Sequence, residues 1–344
     1  MNASKPVSRM GVDLGKNSFH LWGVDHLERL ALRKKLTRNT LLKQLSNMPR
    51  CLIGMEACGS AHHWARELEK LGHEVKLIAP QFVKPYVKGN KNDYNDAEAI
   101  CEAVGRPNMR FVGIKSVQQQ ELLALHRIRQ SVVKARTAQA NQIRGLLAEF
   151  GVVIGKGISQ VRRRLPEILE DGENPLSAES RAWLRELHEH FLHLDGRVQT
   201  YDQRIEGQFN AQEPCQRLAA IEGVGKIGAT AVVATFGKAT EFGNGRQFSA
   251  AMGLVPRQHS TGGREVLLGI SKRGDRYIRT LLIHGARSVV ARVLNSSKDD
   301  ARSRWIRRIA LERGINKAAV ALANKNARII WALLSRESVY RPAV

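Results

Sequence analysis

Residues 9–25 read RMGVDLGKNSFHLWGVD. Apolar residues lead up to a Gly-Lys-Asn segment and resume beyond it, which predicts a strand, a turn and a second strand. RLALRKKL, residues 29–36, is suited to a third. Asp13 stands at the middle of the first strand among apolar neighbours. A carboxylate buried there is costly unless something offsets its charge.

Outward from this stretch, strand and helix signals alternate. CLIGMEA (51–57) predicts a short buried strand with Glu56 at its end. AHHWARELEKLG (61–72) has the spacing of a helix, with Trp64, Leu68 and Leu71 on one face and Gly72 as its stop. HEVKLIAP (73–80) is strand-like and halts at Pro80, and residues 93–104 return to helical spacing. Residues 8–115 therefore make an α/β domain of ordinary size.

Residues 118–150 and 178–209 carry apolar side chains at helical intervals, such as Leu122, Leu125 and Val132 in the first and Leu184, Phe191 and Leu194 in the second. GKGISQVRRRLPEILEDGENPLS (155–177), with Pro166, Gly172 and Pro175, reads as their connection. Two long helices so joined suggest an antiparallel coiled-coil arm over residues 116–212; a simple helical bundle fits the same pattern. The remaining region, 213–344, is mostly helical. Its Gly223 and Gly225, in IEGVGKIGA, suit a helix-hairpin-helix whose backbone N–H groups can hold a phosphate, although a tight helix turn needs the same glycines. HSTGG (259–263) is too polar for a core. Arg257 before it and SKRGDRYIR (271–279) after it, with Lys272, Arg273 and Arg276, are suited to clamping phosphate.

The composition narrows the partners. The 344 residues include 55 Lys+Arg against 32 Asp+Glu, a formal charge of +23. Such an excess points to nucleic acid before membrane or acidic protein. No run approaches the roughly 18 apolar residues of a membrane span, and MNASKPVSRMGVDLG lacks the apolar core of a secretory signal. Cys51, Cys58, Cys101 and Cys215 show no C-x-x-C spacing, so neither zinc nor a disulfide framework is expected. A cytoplasmic, nucleoid-associated protein with reduced thiols is the expectation.

Few acids in so basic a chain are placed as a site requires. Asp93 and Asp96, in NKNDYNDA, are three apart on a helix and so share a face. Acids at a helix start ordinarily offset the macrodipole. Asp13 at a strand centre and Glu56 at a strand end, however, can converge on the same sheet edge. Together the four can hold two hard divalent cations, Mg²⁺ or Mn²⁺, for phosphodiester chemistry.

GVDLGK, GMEACGS and NKNDYNDA resemble the Asp, Glu and Asp-x-x-Asp motifs of the DEDD transposases and Piv-like invertases. IEGVGKIGA, FSAAMGLVPRQHSTGG and ISKRGDRYIRTLL resemble the second domain of the same family. The resemblance implies an RNase H-like, RuvC-like catalytic domain and DNA strand exchange for insertion-sequence mobility, with Asp13, Glu56, Asp93 and Asp96 as metal ligands. It further implies a serine nucleophile in the C-terminal domain, linked covalently to DNA. Ser260 is the less hindered candidate, while Thr261, directly before Gly262, fits a gapless alignment. Donor and target DNA, an element-encoded structured guide RNA and a homo-oligomer, dimer or tetramer, are the implied partners. The acids of one chain would meet the hydroxyl loop of another. Arg257, Lys272 and Arg273 would stabilise developing charge or anchor phosphate, and His259 would act as a base or contact solvent.

Other readings make different demands. An actin-like kinase shares GVDLGK but needs further phosphate-loop and adenosine motifs. A junction resolvase, or a protein-only invertase, would cleave with no covalent intermediate. An architectural DNA-binding protein would need none of the acids.

Overall fold

Strand β1 (Arg9–Leu14) sends Met10, Val12 and Leu14 to one face of a sheet and Gly11 and Asp13 to the other. The computed structural model describes residues 6–90 and 92–341. Residues 1–5, which form part of the stretch read for a secretory signal, and residues 342–344, the end of the last predicted region, lie outside the described residues, as does Lys91. By its internal contacts the chain divides into two compact units, Met1–Ser116 and Val117–Val344.

In the first unit β1 pairs antiparallel with β2 (Ser18–Val24), and β2 antiparallel with β3 (Leu30–Thr37). Helix α1 (Arg38–Ser46) follows, unremarked in the sequence, capped by Thr37 and Thr40. Then come β4 (Leu52–Glu56), α2 (Ala61–Lys70), β5 (Glu74–Ile78), the short α3 (Pro80–Val83), α4 (Asp93–Val104) and β6 (Phe111–Val112). The sheet order is β3-β2-β1-β4-β5-β6, with β1, β4 and β5 parallel and β6 antiparallel at the edge. Leu41 and Leu45 of α1 and Trp64 and Leu68 of α2 bury the face formed by Val12, Phe19, Leu21, Ile53, Met55 and Leu77. Leu71, assigned to the buried face of its helix from spacing, is instead 38% exposed, because α2 ends at Lys70 and the chain turns away at Gly72.

The second unit opens with α5 (Val117–Glu149) and α7 (Ala178–Ala211). Arg129 pairs with Asp202, Arg136 with Asp195, and Gln139 with His190. Rising numbers on α5 meet falling numbers on α7, so the helices run antiparallel. Their intervening segment is more than a connection: Ile158–Glu170 is helix α6, with Val161, Leu165, Ile168 and Leu169 buried against α5 and α7. Apolar spacing outweighed the punctuation by Pro166, which the helix accommodates. Asp195 is buried and accepts from both Arg136, at 2.7 Å, and Arg162 of α6, so one carboxylate ties three helices.

After these helices come α8 (Glu213–Ala219), α9 (Lys226–Phe236), α10 (Gly245–Ala251), strands β7 (Pro256–Gln258) and β8 (Leu267–Ile270), α11 (Arg276–Leu294), α12 (Ala301–Arg313) and α13 (Ile315–Arg336). One core joins them, including Leu218, Val232, Phe248, Leu282, Val290, Leu322 and Ile330. No helix among the described residues is long and apolar enough to cross a membrane.

Candidate active site

The geometry of the acids follows from two glycines. Gly11 and Gly54 are register partners on the parallel strands β1 and β4, and each stands two residues before an acid, Asp13 and Glu56. Residues two apart share a sheet face. A Cβ at Gly11 would collide with the backbone oxygen of Ala97 and nitrogen of Cys101, and one at Gly54 would lie 2.7 Å from Cβ of Val104. Helix α4 therefore rests directly on the sheet, on the face that carries Asp13 and Glu56. Its first turn contains Asp93 and Asp96. The Asn92 side chain fixes that start by accepting from the Tyr94 N–H at 2.9 Å.

Asp13 thus experiences the three other acids. Burial, then the charges of Asp96, Asp93 and Glu56, raise its pKa to about 6. Glu56 is raised as well, by burial and by Asp96. The Cys58 thiol, two residues further on at the surface, is raised by partial loss of solvent and by the charges of Glu56 and Asp13. Among the described residues, no group of three or more His, Cys, Asp or Glu side chains has the close approach of a formed metal cage. The donors themselves are hard carboxylate oxygens whose repulsion a divalent cation would relieve, which is the chemistry such an ion requires.

His20 was not singled out by sequence. It is the cross-strand partner of Asp13, is buried, and places Nδ1 3.5 Å from Oδ2 of Asp93. Its ring meets Tyr94 edge to face at 4.8 Å, and the Arg33 guanidinium lies 4.3 Å from the Tyr94 ring centre. A histidine at an otherwise apolar position of β2, aligned with Asp13, was the signal open to a reader of the sequence.

In the second unit the hydroxyl segment lies within a β-hairpin, where sequence suggested only a loop. Gly262 and Gly263 both have positive φ, 56° and 76°, as a two-residue turn between paired Thr261 and Arg264 requires. Ser260 is exposed, its Oγ accepting from Gln258 Nε2 at 3.0 Å; Thr261 and His259 are exposed beside it. Arg257 lies on β7, Lys272 has a left-handed backbone with φ of 55°, Arg273 follows, and Arg276 opens α11. All four are exposed. Arg279, the last residue of SKRGDRYIR, is instead buried and donates to the carbonyls of Met252 and Arg273 at 3.0 and 3.4 Å, so it braces the loop. Gly223, with φ of 89°, packs against Gly285, and Gly225 caps α9. A cleft of about 540 Å³ runs from this turn to Ser288.

A family model described as a transposase, of the DEDD type, matches residues 10–151, and one described as the transposase IS116/IS110/IS902 family matches residues 215–303. The chain is 52% identical over 337 residues to a probable family 20 transposase of Pseudomonas aeruginosa, spanning 98% of this chain and 99% of that protein. It is 45% identical over 337 residues to the transposase for insertion sequence element IS1111A of Coxiella burnetii, with 98% and 92% covered. With the transposase for insertion sequence element IS1328 of Yersinia enterocolitica it shares 40% over 334 residues, covering 97% and 98%. An acid-bearing α/β unit followed by a helical unit, matched along nearly its whole length by such relatives, has the build of a DEDD-type insertion-sequence transposase. The chain belongs to the IS116/IS110/IS902 transposase family.

Proposed function

We propose that this transposase cleaves and exchanges DNA strands with Asp13, Glu56, Asp93 and Asp96 as its metal-binding set and Ser260 as its nucleophile. The observation that carries the reading is the seating of α4 on Gly11 and Gly54, which brings Asp93 and Asp96 to the sheet face of Asp13 and Glu56; burial and these acids raise the Asp13 pKa to about 6. The sheet order β3-β2-β1-β4-β5 and the placement of α4 support an RNase H-like, RuvC-like domain. We accordingly divide the chain functionally into a catalytic domain, 8–115, a helical arm, 116–212, and a C-terminal transposase domain, 213–344.

Mg²⁺ or Mn²⁺, held by the four acids, would supply the positive charge that activates an attacking oxygen and stabilises a leaving one. The chain's own groups do the rest. Ser260 attacks the scissile phosphorus, and the 3′ or 5′ oxygen of the broken strand departs as the serine ester forms. Arg257, Lys272, Arg273 and Arg276 bind the phosphates on either side, and the Gly223–Gly225 turn holds a further one through its N–H groups, as in a helix-hairpin-helix. Thr261 is the alternative nucleophile. We place donor and target DNA, a structured guide RNA and a second copy of the chain among its partners. A charge of +23 supports polyanion binding.

The test is a trapped protein–DNA adduct, mapped by mass spectrometry. A label on Ser260, lost in Ser260→Ala and absent in Asp13→Asn, is expected. Cleavage by Ser260→Ala with no adduct would replace this reading with hydrolytic junction resolution, and a label on Thr261 would move the nucleophile by one residue. Sequencing of RNA that copurifies through high salt tests the guide: one discrete transcript is expected, and a random background would remove it.

A further inference from the structure

A groove of about 1960 Å³ in the second unit lies between α12, α13 and β8, and none of Ser260, Thr261, Arg257, Lys272, Arg273 or Arg276 lines it. Small-molecule sites occupy about 300–1,000 Å³, so this space suits a length of polymer. Its floor and rim differ in chemistry. Trp305 and Ile309 of α12 and Val320 and Leu333 of α13 are apolar floor. Arg313, Lys317, Lys325 and Arg328 line it as exposed cations. Lys298 and Arg302, also in the lining, are engaged by Glu222 and Asp300. Among the described residues no carboxylate lies at ion-pair distance from Arg313, Lys317 or Arg328. The Lys325 ammonium stands 4.9 Å from the Trp305 ring centre, a ring face already suited to charge or to a base.

Each occupant can be weighed by what it would leave unmatched. An apolar peptide would leave the rim cations without partners. A second copy of a +23 chain would bring like charge to them. A nucleic-acid duplex keeps its bases inside and would use the rim alone. A single strand matches both, with phosphates on the cations and unstacked bases against Trp305 and the apolar floor. We propose that this groove binds a single-stranded segment of the nucleic acid on which the transposase acts, an inference that rests on the strand-transfer function proposed for the chain. One wall is β8, the returning strand of the hairpin that carries Ser260, so a strand lying here is guided along that hairpin.

The experiment is fluorescence anisotropy on the full-length protein in EDTA, with labelled oligothymidylate, oligouridylate and a duplex. Lys317→Glu combined with Arg328→Glu should weaken single-strand binding about tenfold or more and make its salt slope shallower by about 1.4, the loss of two phosphate contacts at about 0.7 each. Trp305→Ala should weaken it about fivefold or more while Trp305→Phe retains it; duplex affinity should hold within about twofold. A loss on oligothymidylate, alone or together with oligouridylate, supports the proposal; a loss confined to oligouridylate overturns it, because the strand on which a transposase acts is DNA. Equal weakening of duplex and single strand, or no weakening, overturns the proposal. So does a change of oligomeric state by sedimentation with single-strand affinity intact. Binding is read without metal or turnover, so failure here leaves the carboxylate mechanism standing, and an inactive carboxylate site leaves this result standing.

Discussion

Gly11 and Gly54 face each other across neighbouring parallel strands, and one helix rests on both. Neither position has room for a methyl group, yet the two are not equivalent. At Gly11 the obstacles are backbone atoms of α4; at Gly54 they are side-chain atoms of Val104 and Ile100. Gly11→Ala should therefore cost about 3 kcal/mol and Gly54→Ala about 1–2 kcal/mol. Urea denaturation measures both. Equal costs would mean that α4 slides freely on the sheet instead of being seated by its backbone at Gly11.

Asp13→Asn separates stability from activity. The folded-state pKa of about 6 lies above the ordinary 3.8, so the stability linked to this carboxyl is fully present below about pH 4 and is lost as pH rises through 6. Solvent screening of a half-buried group leaves this contribution at about 1–2 kcal/mol. Metal-free Asp13→Asn should be more stable than the parent at pH 7.5 by that amount and inactive in strand transfer. Divalent cations should raise the parent's melting temperature and leave the variant's unchanged.

His126 sets a second pH dependence, of opposite sign. It is buried in α5, with Nδ1 3.1 Å from the Tyr277 hydroxyl and Nε2 3.1 Å from Thr230 Oγ1. Thr230 donates to the Lys226 carbonyl at 2.8 Å, so Nε2 carries the proton and Nδ1 accepts from Tyr277. Burial, then Arg129, lowers its pKa from 6.5 to about 4. Its contribution is present above pH 6.5 and is lost as pH falls through 4, about 3 kcal/mol in all. Urea midpoints between pH 4 and 7 should fall less steeply with acid in His126→Gln than in the parent.

Asp195→Ala leaves Arg136 and Arg162 without their shared acceptor. Removing one member of a buried ion pair costs about 3–5 kcal/mol, and the half-exposed Arg162 brings this to about 2–4 kcal/mol. Hydrogen exchange should accelerate first in the N-terminal half of α6 around Arg162, because Arg181 of α7 still holds the carbonyls of Ile168 and Leu169 at its other end. Uniform acceleration along all three helices would show that the tie is not local.

Elements with one strong periodicity were legible in the sequence. Glu56 does end its strand and Asp93 does open its helix, because an apolar run and an Asn cap are local signals. The relationships between elements were not. Gly-Val-Asp and Gly-Met-Glu repeat one spacing, but their meaning depends on β1 and β4 being neighbours in register, which pairing across some forty residues decides. His20 became significant only through its alignment with Asp13. Helix α6 was hidden by Pro166 and the surrounding glycines. The hairpin around Ser260 was hidden by its exposure, since strands with no buried face lack the alternation that announces them.

The pairs Arg129–Asp202 and Arg136–Asp195 repeat after seven residues on each helix. That interval makes the length of the helical pair adjustable in whole steps. Deleting one matched heptad from α5 and one from α7 would shorten it by about 10.5 Å, at 1.5 Å per residue, and return every facing residue to the same side within about 20°. A five-residue cut would instead turn one end against the other by about 140°. Natural length variants are therefore expected to differ by sevens or by the longer near-repeats of about eleven and eighteen residues, and an engineer wishing to change the length of this helical pair has the same units to work in.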